Sequence, residues 1–580
     1  MTQDQPSVLE PAAAEHAAPP DVTHPRTPSA TGKPSSRFDG LRRHRRWLFP
    51  LAVVALLAQM ALAMVTTAVK QTPTIDEPVY VGTAVVYVQQ HSLRYNPEHP
   101  PLGKLIIATG PAWAHPHLDP AFVGNQGALG RHLLYESGND PWRVMLWARL
   151  PVIVLTLLFG LVVLAFARDL TGSVGGLTAL ALFAFSPDVI AHGSLATLDV
   201  PMAGFLLTSV WLLWRARLRP RLYLPLAGAA LGAAVSTKMS ALPAVPVLLL
   251  LVVLSVWYAR RTRGTGRRGT ARLLALGVAA AVAVALVMVA VVWATYLAVD
   301  PRLRWAAPEG VPVAHGLRGL AVDWLPFPQP YRDGMRVQFA FEDAKWTGFL
   351  LGRHYAGSLW YYLPTALLIK TPLGMLALWL AGAVAVVSLP RLRPAAPYVL
   401  VPPAVLLAAA LNGSRDFGVR YAVFLPMFLA VAAACVVALR RRWAHVVTAV
   451  LVLFVAVSSL RTYPYYLPYS NEAFGGPSKT HLRLHDSNVD WGQDLGRLAD
   501  RLRQRYPGEK VWLVYKGSGV PAFYGIDASD PRTDPPDQVH GLLVVSDSSI
   551  AKAGVRLKAL IDSSTPVEEV GHSITVFRRP

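Results

Sequence analysis

The stretch that decides the fold is WLFPLAVVALLAQMALAMVTTAV, residues 47–69. It contains no charged side chain, and a helix of this length is long enough to cross the hydrocarbon core of a bilayer. Arg42, Arg43, Arg45 and Arg46 precede it, as in a signal peptide, but no Ala-x-Ala cleavage site clearly follows. We therefore predict that residues 47–69 form a first membrane span.

The composition of the whole chain agrees with this. Of the 580 residues, 53% are hydrophobic and only 16% are charged, with a mean hydropathy of +0.36, which is too apolar for a soluble globule of this size. The net charge is +20, but the arginines form short clusters between apolar runs, which is typical of cytoplasmic loops and does not indicate a nucleic-acid partner. The single cysteine, Cys435, excludes an intrachain disulfide and a cysteine-based metal site.

Ten further apolar runs predict a polytopic α-helical membrane protein with about eleven spans. If the N-terminus is cytoplasmic, the basic clusters all fall on the cytoplasmic side, as the positive-inside rule requires. The segment 102–114 is too short to span and is expected in the membrane interface. The runs that follow the first are 144–166, 172–190, 200–216, 222–237, 240–258, 273–298, 359–388, 396–412, 421–439 and 443–461.

The composition also divides the chain into three regions. Residues 1–40 are rich in Pro, Ala, Ser and Thr and predict a disordered cytoplasmic tail. Residues 41–461 form the membrane module, with outer loops at 70–143 and 299–358. Residues 462–580 contain a helical pattern at 494–506 and strand-like runs at 510–514, 541–545 and 573–577, which predict a small extracytoplasmic α/β domain. We expect a multi-pass protein of the plasma or inner membrane.

An acidic pair, Asp76-Glu77, follows the first span and is predicted to lie outside the cytoplasm. Carboxylates at the mouth of a membrane protein are costly unless they are solvated, paired or used. A second polar cluster, EHPPLGK at residues 98–104, precedes the interfacial segment. This placement is the main indication of function.

Several motifs together resemble those of the GT-C glycosyltransferases, in the family that includes the protein O-mannosyltransferases and the bacterial aminoarabinose transferases. They are Asp76-Glu77, HPPLGK at 99–104, LDVP at 198–201 and STK at 236–238. Further on, residues 354–372, GVRY at 418–421 and DSNVDWGQD at 486–494 resemble those of bacterial relatives whose substrate is uncharacterised. The basic residue that often follows the acidic pair in aminoarabinose transferases is absent, because Tyr80 and Val81 stand there.

The resemblance implies a GT-C-like fold and the transfer of a sugar, mannose-like or another hexose or pentose, from a polyprenyl-phosphate donor. The acceptor would be extracytoplasmic, as a protein hydroxyl, a lipid or a cell-envelope glycan, and the reaction would invert the anomeric carbon. Two alternatives stay open: a transporter or flippase of a lipid-linked sugar, which predicts inverted repeats, and a non-enzymatic envelope assembly protein.

The chemistry of such a transfer requires a base for the acceptor hydroxyl. Asp76 is the first candidate, although an aspartate two residues before Pro78 also fits a helix N-cap. Glu77 would orient that base or cap the same helix. Asp199 is a second candidate, again with helix capping as the alternative.

The transfer also requires positive charge or a metal ion at the leaving phosphate. The candidate phosphate ligands are Lys104, Lys238, Lys370 and Arg420, of which Lys104 and Arg420 are favoured. Their alternative role is that of basic anchors at the membrane interface.

A divalent metal, Mg²⁺, Mn²⁺ or Zn²⁺, is the remaining possibility. Glu98 and His99 are its candidate ligands, and a complete site would need Asp199, His192 or His354 as well. A polar loop that caps the following helix is the alternative for this pair.

Overall fold

The computed structural model describes residues 37–261, 269–307 and 310–580, with side chains from Trp47 onward. It divides into two compact units, Met1–Pro50 and Leu51–Pro580. Of the first unit, the described part is residues 37–50, which are helical. The predicted disorder of the tail therefore concerns residues that lie, up to position 36, outside the described part of the chain.

The apolar runs form helices because, in lipid, each run must satisfy its own backbone hydrogen bonds. Up to the end of the last apolar run the helices are α1 (Arg37–Lys70), α2 (Glu77–Gln90), α3 (Pro101–Ala108), α4 (Pro111–Ala114), α5 (Gln126–Arg131), α6 (Pro141–Ala184), α7 (Pro187–Gly193), α8 (Asp199–Ala216), α9 (Pro220–Thr237), α10 (Val245–Arg261), α11 (Thr270–Val299), α12 (Gly316–Trp324), α13 (Gln329–Asp343), α14 (Tyr362–Lys370), α15 (Leu373–Ser388), α16 (Ala396–Leu411), α17 (Phe424–Ala434) and α18 (Arg442–Thr462). A short hairpin, β1 (Thr347–Leu350) and β2 (Arg353–Ala356), lies between α13 and α14.

Among the described residues, six helices are long and apolar enough to cross a membrane, and a bent pair gives a seventh. The predicted spans 144–166 and 172–190 both reach into α6, which is interrupted at Gly172, where φ is +82°. The predicted span 359–388 is two helices, α14 and α15, bent by 117° where Pro372 removes a backbone donor. The count of eleven spans therefore stays a prediction.

One large apolar core joins the helices of the membrane module. It includes side chains of α1, α6, α8, α9 and α17, and those of α8 and α9 pack directly against each other. The polar ends of these helices matter most for the site. The beginnings of α2 and α8 and the end of α9 all meet at one cavity.

The last part of the chain, from Leu495 onward, contains both helices and a five-stranded sheet. Its elements are α19 (Leu495–Arg505), β3 (Val511–Val514), β4 (Ala528–Ser529), β5 (Gly541–Ser546), α20 (Asp547–Ala551), α21 (Val555–Asp562), β6 (Thr565–Val570) and β7 (Ile574–Arg579). The sheet order is β4-β3-β5-β7-β6, with β3 parallel to β4 and β5 and the other pairs antiparallel. Strands β3, β5 and β7 and helix α19 lie where the sequence predicts them.

The predicted boundary at residue 462 and the placement of this region outside the cytoplasm stay predictions. Strands β4 and β6 were not predicted from the sequence. Both are edge strands, and the exposed, charged sequence TPVEEV of β6 lacks the apolar alternation of a central strand.

Candidate functional site

A cavity of about 1150 Å³ lies where these helix ends meet. Its wall combines carboxylates with basic side chains from distant parts of the sequence. The acidic group is Asp76, Glu98, Asp199, Glu342 and Asp486, and the basic group is Lys238, Arg318, Arg415, Arg420 and Lys516. A second part of the wall is apolar and comes largely from Leu242, Val245, Met288, Phe327, Leu406 and Phe424.

Asp76 faces this cavity. It occupies the N-cap position of α2, but its carboxylate makes no capping hydrogen bond. Its Oδ2 instead accepts a hydrogen bond from Nη1 of Arg420 at 2.5 Å, and 26% of the side chain is exposed. The structure therefore does not support capping as the role of Asp76, and the carboxylate is accessible from the cavity.

Glu77 points away from the cavity, although it is the next residue. Its carboxylate is fully buried and accepts hydrogen bonds from Nε and Nη2 of Arg149, both at 2.7 Å. The backbone N–H groups of Thr74 and Ala196 donate to the same carboxylate. Burial raises the pKa of Glu77, but the Arg149 guanidinium and these hydrogen bonds outweigh burial and hold the pKa below its usual value. Glu77 thus ties the start of α2 to α6 and to the turn before α8.

Asp199 and Lys238 form a second buried pair on the cavity wall. The Lys238 ammonium donates to Oδ1 of Asp199 at 2.6 Å. Asp199 is the first residue of α8, and Leu198 holds the N-cap position. The aspartate therefore does not cap this helix, and the pair joins α8 to the end of α9.

Arg420 is held between two aromatic rings. Its guanidinium carbon lies 4.4 Å from the ring centre of Trp491 and 5.1 Å from that of Tyr421. The preceding Gly418 has φ +140°, and a Cβ there would stand 2.1 Å from Oγ of Ser487. A glycine is required here because the loop of Arg420 and the 486–488 turn approach so closely.

Two of the predicted phosphate ligands do not line the cavity. The Lys104 ammonium donates to the backbone oxygens of Asn96 and His99 and to Oδ1 of Asn96. Burial lowers the pKa of Lys104 to about 7, against the attraction of Glu98. The Lys370 ammonium donates to the backbone oxygens of Leu467 and Asn488. Both lysines hold loops in place, and only Lys238 and Arg420 of the four reach the cavity wall.

Glu98 and His99 do line the cavity, but among the residues that the structure describes they are not part of a group of three metal-ligating side chains. Oε1 of Glu98 accepts from Nε2 of Gln126 at 2.7 Å, and the His99 ring packs edge-on against Tyr80. Among the described residues, the one group of three metal-ligating side chains within reach of each other lies elsewhere. The metal assignment of this pair stays a prediction.

Several wall residues were missed by sequence reasoning. Asp486, whose carboxylate pairs with Lys516, and Trp491 both belong to the wall, whereas no site residue was predicted from the sequence within the motif 486–494. Asp494 stands before α19 and makes no capping hydrogen bond. Arg149 does not line the cavity, but its role as the partner of Glu77 could have been predicted, because a lone charge inside an apolar run indicates a buried partner.

These helices, with their apolar lengths, define a multi-pass membrane protein. Residues 52–301 match the family model described as dolichyl-phosphate-mannose-protein mannosyltransferase. The resemblance predicted from the sequence is confirmed over this part of the chain, and it indicates a glycosyltransferase. No curated protein matches the chain.

The chain is also similar to solved structures. ArnT from Cupriavidus metallidurans bound to undecaprenyl phosphate shares 16% identity, with a TM-score of 0.43, over 90% of this chain and 97% of that one. The Pmt1-Pmt2 protein O-mannosyltransferase complex of S. cerevisiae bound to the sugar donor shares 19% identity, with a TM-score of 0.33, over 44% of this chain and 33% of that one. The oligosaccharyltransferase of Archaeoglobus fulgidus shares 14% identity, with a TM-score of 0.39, over 79% and 58%.

Proposed function

We propose that this protein transfers a sugar from a polyprenyl-phosphate donor to a hydroxyl group of an extracytoplasmic acceptor, with Asp76 as the general base. The observation that carries the proposal is the pairing of the accessible Asp76 carboxylate with Arg420 on the wall of one cavity. The family match over residues 52–301 supports the reaction class.

The cavity suits a substrate that has both a charged head and a hydrocarbon tail. Its basic side chains, Arg420 and Lys238 among them, offer charge to a phosphate. The apolar wall from α11 and α16, with Met288 and Leu406, offers contacts for a prenyl chain. A soluble sugar nucleotide would gain nothing from the apolar part.

The proposed step is a single displacement. The acceptor oxygen forms a bond to the anomeric carbon while the bond from that carbon to the phosphate oxygen breaks. The hydroxyl proton passes to Asp76, and the electron pair leaves with the polyprenyl phosphate, which Arg420 and Lys238 stabilise. One displacement at one carbon inverts its configuration.

The Asp76–Arg420 contact gives donor binding a direct effect on the base. A phosphate at Arg420 competes with Asp76 for the guanidinium, because both anions accept hydrogen bonds from the same N–H groups. Donor binding then leaves the Asp76 carboxylate free for the acceptor hydroxyl. The base is used only when a leaving group is present.

A transfer assay tests the proposal. The purified protein is incubated with synthetic polyprenyl-phosphate sugars, mannose-linked and aminopentose-linked among them, and a hydroxylated acceptor extract. We expect release of polyprenyl phosphate and a sugar-modified product for one donor. Deletion of the gene should cause that lipid-linked sugar to accumulate in the cells, as detected by mass spectrometry. A protein that moves the intact donor across vesicles without cleaving it would be a flippase instead.

Reporter fusions test the proposed orientation in the plasma or inner membrane. A fusion after residue 462 should be active only as an extracytoplasmic reporter, and one within 260–272 only as a cytoplasmic reporter. The reverse pattern would place Asp76 in the cytoplasm and contradict the proposal.

A further inference from the structure

Three atoms of metal-ligating type converge at the end of the C-terminal sheet, on residues that do not line the cavity. They are Nδ1 of His481, Oδ2 of Asp547 and Oε1 of Glu569, and all lie within 4.8 Å of one another. The imidazole nitrogen is 3.8 Å from each of the two carboxylate oxygens. His481 comes from the 3₁₀ helix Pro477–Leu482, Asp547 starts α20, and Glu569 belongs to β6.

The same three atoms are buried, and none has a hydrogen-bond partner within the described part of the chain. The Asp547 side chain is completely buried, and only its other oxygen is satisfied, by the hydroxyl of Thr575 at 2.7 Å. Buried polar atoms without partners are rare and costly. The carboxylates of Asp547 and Glu569 also repel each other when both are ionised. A cation bound between them would remove this repulsion.

We propose that His481, Asp547 and Glu569 bind a divalent transition-metal ion, of which Zn²⁺ is the best fit. One imidazole and two carboxylates form a mixed nitrogen–oxygen ligand set that suits Zn²⁺, whereas Mg²⁺ and Ca²⁺ prefer oxygen ligands alone. Two ligands of a tetrahedral zinc ion stand roughly 3.4 Å apart, given bonds of about 2.1 Å. The two nitrogen–oxygen separations of 3.8 Å need to close by only a few tenths of an ångström, and the two carboxylate oxygens lie within 4.8 Å of each other.

The surroundings supply the supporting contacts of such a site. Nδ1 of His572 lies 3.1 Å from Oε2 of Glu569, and the hydroxyl of Thr575 donates to the other oxygen of Asp547. Contacts of this kind orient metal ligands. The His481 and Glu569 side chains retain 22% and 27% exposure, although the three ligand atoms themselves are buried. A fourth ligand would be a water molecule that binds together with the ion.

The proposed metal site would have a structural role, because hydrogen bonds connect it to a turn that lines the cavity. Ser548, next to Asp547, donates from its backbone N–H to Oδ2 of Asp490, and its hydroxyl accepts from the backbone N–H of Asp486. Asp486 lines the cavity. A metal ion at Asp547 would thus restrain the turn that carries part of the cavity wall.

Metal binding to the full-length protein tests the inference. The protein is purified without a histidine tag, stripped with a chelator and titrated with Zn²⁺, while bound metal and the Tm are measured. We expect one tightly bound Zn²⁺ and a higher Tm, because a ligand that binds only the folded state stabilises it. Mg²⁺ or Ca²⁺ should produce neither effect at the same concentration.

Asp547→Asn is the sharpest variant, since the amide keeps the shape and the acceptor for Thr575 but loses the anionic ligand. We expect it to fold, to bind Zn²⁺ more than about 100-fold more weakly, and to lose the Tm increase. His481→Ala should do the same. The control is His132→Ala with Glu136→Gln, which removes a histidine–carboxylate pair 3.3 Å apart that belongs to no group of three metal-ligating side chains among the described residues.

A second control, Glu98→Gln, separates this site from the cavity wall and should keep the bound Zn²⁺. The inference is overturned if Asp547→Asn and His481→Ala bind Zn²⁺ as the unaltered protein does. It is also overturned if Glu98→Gln abolishes the binding, or if the stripped protein takes up no Zn²⁺. None of these readouts uses sugar transfer, so the result is independent of the proposed function.

Discussion

The guanidinium of Arg420 donates to the carboxylate of Asp76 at 2.5 Å, across 344 positions of sequence. This contact joins the beginning of α2 to the 3₁₀ helix Val419–Ala422, on the wall of the cavity. It places the candidate base and the candidate phosphate ligand side by side.

Asp76→Asn should abolish most transfer without unfolding the protein. The carboxylate makes no capping hydrogen bond, but it pairs with the buried Arg420, so we expect some loss of stability with the fold retained. Loss of a general base lowers the rate by roughly 10²–10⁴-fold. Initial rates and thermal unfolding of the purified protein check this. Activity above about a tenth of normal would place the base elsewhere, with Asp199 as the next candidate.

Glu77→Gln should mainly destabilise the fold. The change leaves the Arg149 guanidinium buried without its anionic partner, and loss of one member of a buried pair costs about 3–5 kcal/mol. We expect a clearly lower Tm. The matched control is Glu136→Gln, since Glu136 pairs with Arg131 at the surface and should cost little. Equal effects of the two changes would contradict a structural role for Glu77.

Arg420→Ala and Lys104→Ala should differ in kind. Arg420 lines the cavity, so its loss should raise the KM for the donor or lower kcat by about 10²–10³-fold. Lys104 donates to backbone oxygens of the 96–99 loop, so its loss should lower the Tm first. Steady-state kinetics at several donor concentrations separate the two. A specific donor KM defect in Lys104→Ala, with an unchanged Tm, would restore it as a phosphate ligand.

Asp490 should make stability depend on pH. Burial, only partly offset by Lys516 and by hydrogen bonds from the backbone of Ser548 and Gly492, raises its pKa from the ordinary 3.8 to about 7. Between these values the folded protein keeps a proton that the unfolded chain has lost. The contribution is therefore complete below pH 3.8 and disappears as the pH rises through about 7.

The measurement is the Tm of the unaltered protein and of Asp490→Asn across this pH range. The amide cannot titrate, so the variant should lose this part of the slope. Groups that do not interact with Asp490 act equally in both proteins, so the difference reports on Asp490 and on Asp547, whose pKa the Asp490 carboxylate helps to raise. Identical slopes would show that Asp490 is ionised in the folded protein throughout.

The sequence predicts the helical class and the placement of most elements, because apolar runs and strand patterns are local signals. The interruption at Gly172 falls where the predicted runs 144–166 and 172–190 are separated, whereas the bend at Pro372 was missed, since it leaves its run apolar. The candidate site was predicted in its acidic residues, Asp76 and Asp199, because charges near apolar runs stand out. The pairings within the site were not predicted, since no local sequence pattern indicates that Arg420 binds Asp76 or that Lys104 does not line the cavity.

The C-terminal residues Asp486, Trp491 and Lys516 complete a cavity wall that begins at Ile75. This has a practical consequence for how the chain can be divided. A fragment that ends after the last apolar helix would keep every long hydrophobic segment and still present an open, incomplete cavity. Co-expression of two separately encoded pieces, cut between α18 and Asp486, would succeed only if the second piece docks and restores the Trp491 ring over Arg420.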